Sequence, residues 1–114
     1  MIQKHETVYI AGPMSGKPLF NYPAFYGFAG LIEKEYQCKV LNPARQPNGL
    51  TYDQYIELAL KDLAQADVVV FLDGWQNSNG AVIEFFEARK QKKRILFQRD
   101  ITLDLNEKMN QVPA

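Results

Sequence analysis

Four short apolar runs punctuate the chain: Thr7 to Ala11, Cys38 to Pro43, Asp67 to Leu72 and Arg94 to Gln98. The first is β-branched and aromatic and stops at a Gly-Pro break, which predicts a strand. Residues 67–72 are continuously apolar after the aspartate, the pattern of a strand covered on both faces. Cys38 begins the short second strand, which Pro43 terminates, and Ala44 to Leu50 reads as a loop. Between these runs the apolar spacing changes to a helical period. Phe25, Phe28, Ala29 and Ile32 fall at i, i+3, i+4 and i+7, predicting a helix from about Pro23, a residue suited to a first helical turn. Tyr52, Tyr55, Ile56, Ala59 and Leu63 predict a second helix, opened by a capping box of Thr51 and Gln54. Residues 81–91 predict a third, with its basic residues near the C-terminal end, where the helix dipole favours them. Residues 99–114 are polar and leave three options open: a short strand, a frayed tail or an arm onto a neighbouring subunit.

Strand and helix alternate, which is the pattern of a parallel sheet with right-handed crossovers. The expected fold is α/β: a single-domain three-layer sandwich with a mainly parallel sheet of four to five strands, flavodoxin/Rossmann-like. At 114 residues and 46% hydrophobic content the chain suits one domain over 1–114. In such sheets ligands bind beyond the carboxyl ends of the strands, near the switch in strand order. That rule selects two polar, glycine-containing loops, 12–22 and 73–80.

Charge narrows the ligand. Thirteen basic and thirteen acidic residues cancel, so the broad positive footprint of a nucleic-acid binder is missing and a small, locally recognised ligand is expected. No apolar run approaches the ~20 residues of a membrane span, and the N-terminus lacks the apolar core of a signal peptide, so no membrane partner and a cytoplasmic location are expected. One cysteine and one histidine provide neither an internal disulfide nor a zinc ligand set, and no metal or cofactor is expected.

The residues that suggest chemistry lie in the two selected loops. Ser78, Asn79 and Gly80 precede the third helix, where unpaired N–H groups and the dipole favour an anion. Glu84 lies a turn further on, and helical side chains tilt toward the N-terminus, so its carboxylate leans back toward the same space. Ala81 and Ala88 share its face, whereas Val82, Phe85, Phe86 and Arg89 mark another. Glu84 is therefore expected to look into a cleft, ionised by the helix start, as a nucleophile requires. The plain alternatives are a surface glutamate in a first turn and an N-cap at Ser78 or Asn79. Gly12, Pro13, Met14, Ser15 and Gly16 form a loop that lets a ligand approach the backbone, without the spacing of a dinucleotide fingerprint or a P-loop. Trp75 is suited either to stacking on a base or to covering the sheet. Tyr9 is a core residue unless its hydroxyl emerges at the cleft. Asp73 ends a strand at the ligand edge, while Asp62, Lys17 and the basic run 88–94 read as solvated charges.

These residues resemble a known family. Tyr-Ile-Ala-Gly-Pro-Met-Ser-Gly at 9–16, Gly74-Trp75, and Ser78 to Glu84 are similar to the nucleoside 2-deoxyribosyltransferase-like superfamily, in particular its short bacterial and phage branch. The resemblance spans roughly residues 7–97. It implies that Glu84, in a Gly-x-x-x-Glu motif with Gly80, is the catalytic nucleophile, with Tyr9 near the reacting centre. Ser78, six positions before Glu84, matches the phosphate-contacting serine of deoxynucleoside 5'-monophosphate N-glycosidases. The implied activity is cleavage or transfer at the N-glycosidic bond of a nucleotide, in a homodimer or larger homo-oligomer. The sequence departs from the family at Ala59, where an aspartate on the preceding helix is usual; Asp62, one turn on, is the nearest carboxylate. That departure raises a second function, a catalytically silent protein that senses or sequesters a nucleotide.

Overall fold

The computed structural model of the protein describes residues 1–110. Four strands, β1 (Thr7–Ala11), β2 (Lys39–Leu41), β3 (Val68–Phe71) and β4 (Arg94–Phe97), form one sheet in the order β2-β1-β3-β4. Every pairing is parallel, with Tyr9 opposite Leu41 on one side and Val69 on the other. Four helices connect and follow them: α1 (Tyr22–Tyr36), α2 (Tyr52–Ala64), α3 (Asn79–Lys90) and α4 (Gln98–Asn110).

The period of two in the strands splits the core into two layers. Val8, Ile10, Val68 and Val70 face Phe25, Ala29 and Ile32 of α1 together with Ile101 of α4. Tyr9, Ala11, Val69 and Phe71 face the opposite way, toward Ala59 and Leu63 of α2 and Ala88 of α3. This is the expected three-layer sandwich. Helix starts follow the sequence signals. Thr51 Oγ1 accepts from the Gln54 N–H at 3.1 Å and Gln54 Oε1 accepts from the Thr51 N–H at 3.0 Å, completing the capping box of α2.

The options for residues 99–110 resolve differently from all three expectations. They lie in α4, a helix seated on the chain's own core, with Ile101 fully buried and Leu105 packed behind it. The Tyr36 hydroxyl donates to Asp104 Oδ2 at 2.6 Å and ties α4 to α1. The sheet therefore has four strands, and residues 111–114 lie outside the described residues.

The strand order places the site. The chain leaves β1 toward β2 on one side, returns past it to β3 on the other, and so opens a crevice where the loops after β1 and β3 diverge. Asp67 sits at the opposite edge, where its Oδ2 accepts from the Thr7 N–H at 2.9 Å and joins the starts of two strands.

Candidate active site

Glu84 forms the floor, with Tyr9 behind it. Tyr9 lies on the α2/α3 face of β1, fully buried, and its hydroxyl donates to Glu84 Oε2. Tyr9 is thus a core residue whose hydroxyl stops at Glu84 behind the cavity, and it is not itself part of the cavity lining. Glu84 comes from α3, whose buried residues are Ala81, Glu84 and Ala88. This face is packed inward, whereas Phe86 on the other side is 65% exposed. Two alanines flanking Glu84 keep that face small, and the glutamate, 6% exposed, still lines a cavity.

Burial also opposes the expected ionisation. Loss of hydration pushes the Glu84 carboxyl up to about 7, against the lowering effect of the Tyr9 hydrogen bond. Displacing a carboxyl that far corresponds to about 3 kcal/mol, whereas a helix start contributes only ~0.3–1 kcal/mol to a nearby anion. Desolvation wins, and Glu84 is a proton-exchanging group near neutrality rather than a permanently charged one. Tyr9, wholly buried beside a carboxylate, is held far above the ordinary phenol range and remains a donor.

The cavity above this pair measures about 410 Å³, within the ~300–1,000 Å³ usual for small-molecule sites. Four segments wall it. Gly12, Met14, Ser15, Phe20 and Tyr22 come from the loop after β1 and the start of α1; Pro43 and residues 46–50 follow β2. Thr51, Tyr52, Tyr55 and Ile56 are the first turns of α2, and Ser78, Gly80, Ala81 and Glu84 belong to the start of α3. No lysine, arginine or histidine lines it, and Glu84 is its one carboxylate among the described residues. Positive potential comes instead from the helix starts that open onto it, each worth a fraction of a unit charge.

Backbone geometry explains the glycines that matter. A Cβ on Gly12 would stand 2.9 Å from Leu72 Cβ, so the end of β1 can approach the end of β3 only without a side chain. At Gly80 a Cβ would meet Ile56 Cδ1 at 3.3 Å and the Tyr52 hydroxyl at 3.9 Å, where α2 and α3 close on each other. Ser78 caps α3 by accepting from the Ala81 N–H at 3.3 Å, which leaves its own hydroxyl proton free to donate into the cavity. The N-cap role of Ser78 is therefore the observed one, and it does not use up the hydroxyl proton.

Not all the expected residues converge. Pro13 is buried beneath the loop, where its carbonyl accepts from Asn21 Nδ2 at 2.9 Å. Gly16, at φ 78°, turns the loop at the surface, and Asn79 is exposed at the start of α3. Neither belongs to the cavity lining. Asp73 and Trp75 face a second cavity of about 390 Å³, with Phe71, Gly74, Gln76 and Phe97. Trp75 stacks on Phe85, ring centres 4.6 Å apart, and lies 5.2 Å from Phe71. Its indole thus covers the sheet on the side away from the main cavity. Asp62 is not merely solvated: its Oδ2 accepts from Gln46 Nε2 at 2.8 Å, and Gln46 lines the main cavity. Ala59 is fully buried in the core.

The sequence reading missed the segment after β2 and the tyrosines of α2. Both were recoverable, since β2 runs parallel to β1 and its carboxyl end lies at the same sheet edge. Tyr52 and Tyr55 enter the sequence reading only as members of a helical period, although a first helical turn at that edge faces the ligand space. Among the described residues no cluster of three or more His, Cys, Asp or Glu side chains is placed to hold a metal, and no helix is long and apolar enough to cross a membrane.

The fold is that of a single α/β domain built on a four-stranded parallel sheet. Residues 6–97 match the family described as "Domain of unknown function (DUF4406)", and the chain belongs to that family. The structure is similar to that of the 2-desoxiribosyltransferase from Leishmania mexicana, with a TM-score of 0.65 at 18% sequence identity. The similarity covers 81% of this chain and 63% of that one, so the present chain spans under two thirds of the neighbour's length. No curated protein matches the sequence.

Proposed function

We propose that the protein cleaves or transfers the N-glycosidic bond of a nucleoside 5'-monophosphate, with Glu84 as nucleophile. The observation that carries this reading is one buried carboxylate, hydrogen-bonded to Tyr9, at the floor of an aromatic cavity onto which helix starts open. The similarity of fold to a deoxyribosyltransferase supports glycosyl transfer as the class of chemistry, and the nucleotide preference rests on Ser78 and the resemblance to the monophosphate N-glycosidases.

In this mechanism ionised Glu84 attacks the anomeric carbon through Oε1 while Oε2 remains bound by Tyr9. The C–N bond breaks through an oxocarbenium-like transition state and its electron pair leaves with the base, which takes a proton from solvent. Water or a second base then attacks the same carbon and releases the carboxylate. The Ser78 hydroxyl and the free N–H group of Gly80 hold the 5'-phosphate, whose binding energy positions the sugar. Phe20, Tyr22 and Tyr52 offer aromatic surface to the base. A cytoplasmic homo-oligomer acting on a small nucleotide completes the reading, with Tyr26 and Leu31 of α1, both exposed, offering apolar surface to a second copy.

The test is incubation with nucleosides, deoxynucleotides, ribonucleotides and NAD, with free base followed by chromatography and Glu84→Gln as control. Base released from a monophosphate by the unmutated protein alone supports the assignment. Release by both proteins removes Glu84 from the mechanism. One observation favours the second function, a silent nucleotide binder: Ala59 is buried, so α2 brings no carboxylate to orient Glu84. Thermal stabilisation by a nucleotide without any base release would select that function.

A further inference from the structure

The hydroxyl of Tyr55 is poorly matched within the protein. It donates to Met14 Sδ at 2.9 Å, and a thioether sulfur is a weak acceptor. Tyr55 is half-buried and lines the main cavity together with Glu84 and Met14. Burial and the nearby carboxylate both hold its phenol well above the ordinary range, so it stays neutral and able to donate. A polar group in this situation gains when a ligand provides a better acceptor than a thioether.

The rest of α2 shows why Tyr55 matters. Tyr52, on the first turn, is 55% exposed and sits at the rim, Ile56 is apolar, and Ala59 is buried against the sheet. Tyr55 is the residue through which α2 presents a polar atom to the interior. Reaction at Glu84 requires the anomeric carbon to lie at Oε1, and Tyr55 lines the same cavity as that carboxylate, so its hydroxyl is placed for the sugar rather than for the far edge of the base. A phenol both donates and accepts, which matches a sugar hydroxyl.

Resting on the N-glycosidic reading of this cavity, we propose that Tyr55 is a substrate-contacting residue: on binding, its hydroxyl leaves Met14 Sδ and donates to a hydroxyl of the sugar, fixing the ring over Glu84. Met14 thereby acts as a resting partner that keeps the phenol poised in the empty cavity.

The test compares kcat/KM for a cleaved nucleotide and for its analogues lacking the 2'- or 3'-hydroxyl, in the unmutated protein and in Tyr55→Phe. Removing the contacted hydroxyl is expected to lower the unmutated rate about tenfold or more, and Tyr55→Phe to lower the rate on the intact nucleotide by a similar factor. The two losses should not multiply, because each deletes the same contact. A Tyr55→Phe protein indistinguishable from the original, or losses that multiply fully, would overturn the assignment. Met14→Leu removes the resting partner and keeps the phenol; it should retain the discrimination between the intact nucleotide and its deoxy analogue, and losing it would contradict the proposal even if Tyr55→Phe folded poorly. Absence of base release from every nucleotide by the unmutated protein overturns the N-glycosidic reading itself, and with it the role of Tyr55. Release with no hydroxyl dependence overturns only the role of Tyr55.

Discussion

Glu84 is destabilising where it stands, and the pH dependence of that effect has a defined sign. Below about pH 4.5 the carboxyl is protonated in folded and unfolded chains alike. Between there and about 7, the folded value, the unfolded chain ionises first, so stability falls as pH rises and the full loss, about 3 kcal/mol, is present by pH 8. Glu84→Gln keeps an acceptor for the Tyr9 hydroxyl but cannot ionise. It should melt roughly 10–15 °C above the original protein at pH 8, with the difference closing toward pH 4.5 in thermal melts. Equal melting at both pH values would show that Glu84 is not desolvated. Tyr9→Phe removes the hydrogen bond that lowers the carboxyl, so the rise of kcat/KM with pH, centred near 7 for a reaction that needs the ionised form, should move to higher pH. The position of Glu84 was legible from spacing and helical tilt, and so was its proximity to Ser78. Its protonation was not, because Ala81 and Ala88 on its face are compatible with either a cleft or a close approach to the sheet.

Elements explain why the site is open at one edge and tight at the other. The loop after β1 is drawn against β3 at Gly12, held at Pro13 by Asn21, and carried through three non-glycine residues at positive φ, Leu19, Phe20 and Asn21. Gly12→Ala must displace Leu72 and should lower stability by about 1–3 kcal/mol in denaturant unfolding. Thr51→Ala, which breaks the capping box at the cavity wall, should cost about 1 kcal/mol. Strands, the first three helices and that capping box were readable because periodicity and local chemistry agree there. Helix α4 was hidden by a conflict between periods: Ile101, Leu103 and Leu105 alternate as in a strand, while Ile101 and Leu105 also stand one helical turn apart. The sheet settles it by burying Ile101 and leaving Leu103 54% exposed, a tertiary choice that local sequence does not encode.

At the scale of the molecule, the order β2-β1-β3-β4 separates what the sequence had grouped together. Loops after β1 and β2 and the start of α3 share one cavity, whereas Asp73 and Trp75 turn toward the β4 side and a second one. No local pattern distinguishes these destinations, since both segments sit at carboxyl ends of strands; only the pairing of β3 with β4 divides them. The same architecture makes α4 part of the core. Ile101→Ala should destabilise the whole domain by about 2–5 kcal/mol in a single cooperative transition, and a loss confined to α4 would show that it is an appendage. The measurement that bears most directly on Glu84 as nucleophile is the anomeric configuration of the product trapped by methanol during turnover of a β-nucleotide, read by proton NMR. Two displacements through Glu84 predict the methyl β-glycoside, absent with Glu84→Gln; the methyl α-glycoside would mean a single displacement and would contradict the covalent role assigned to Glu84.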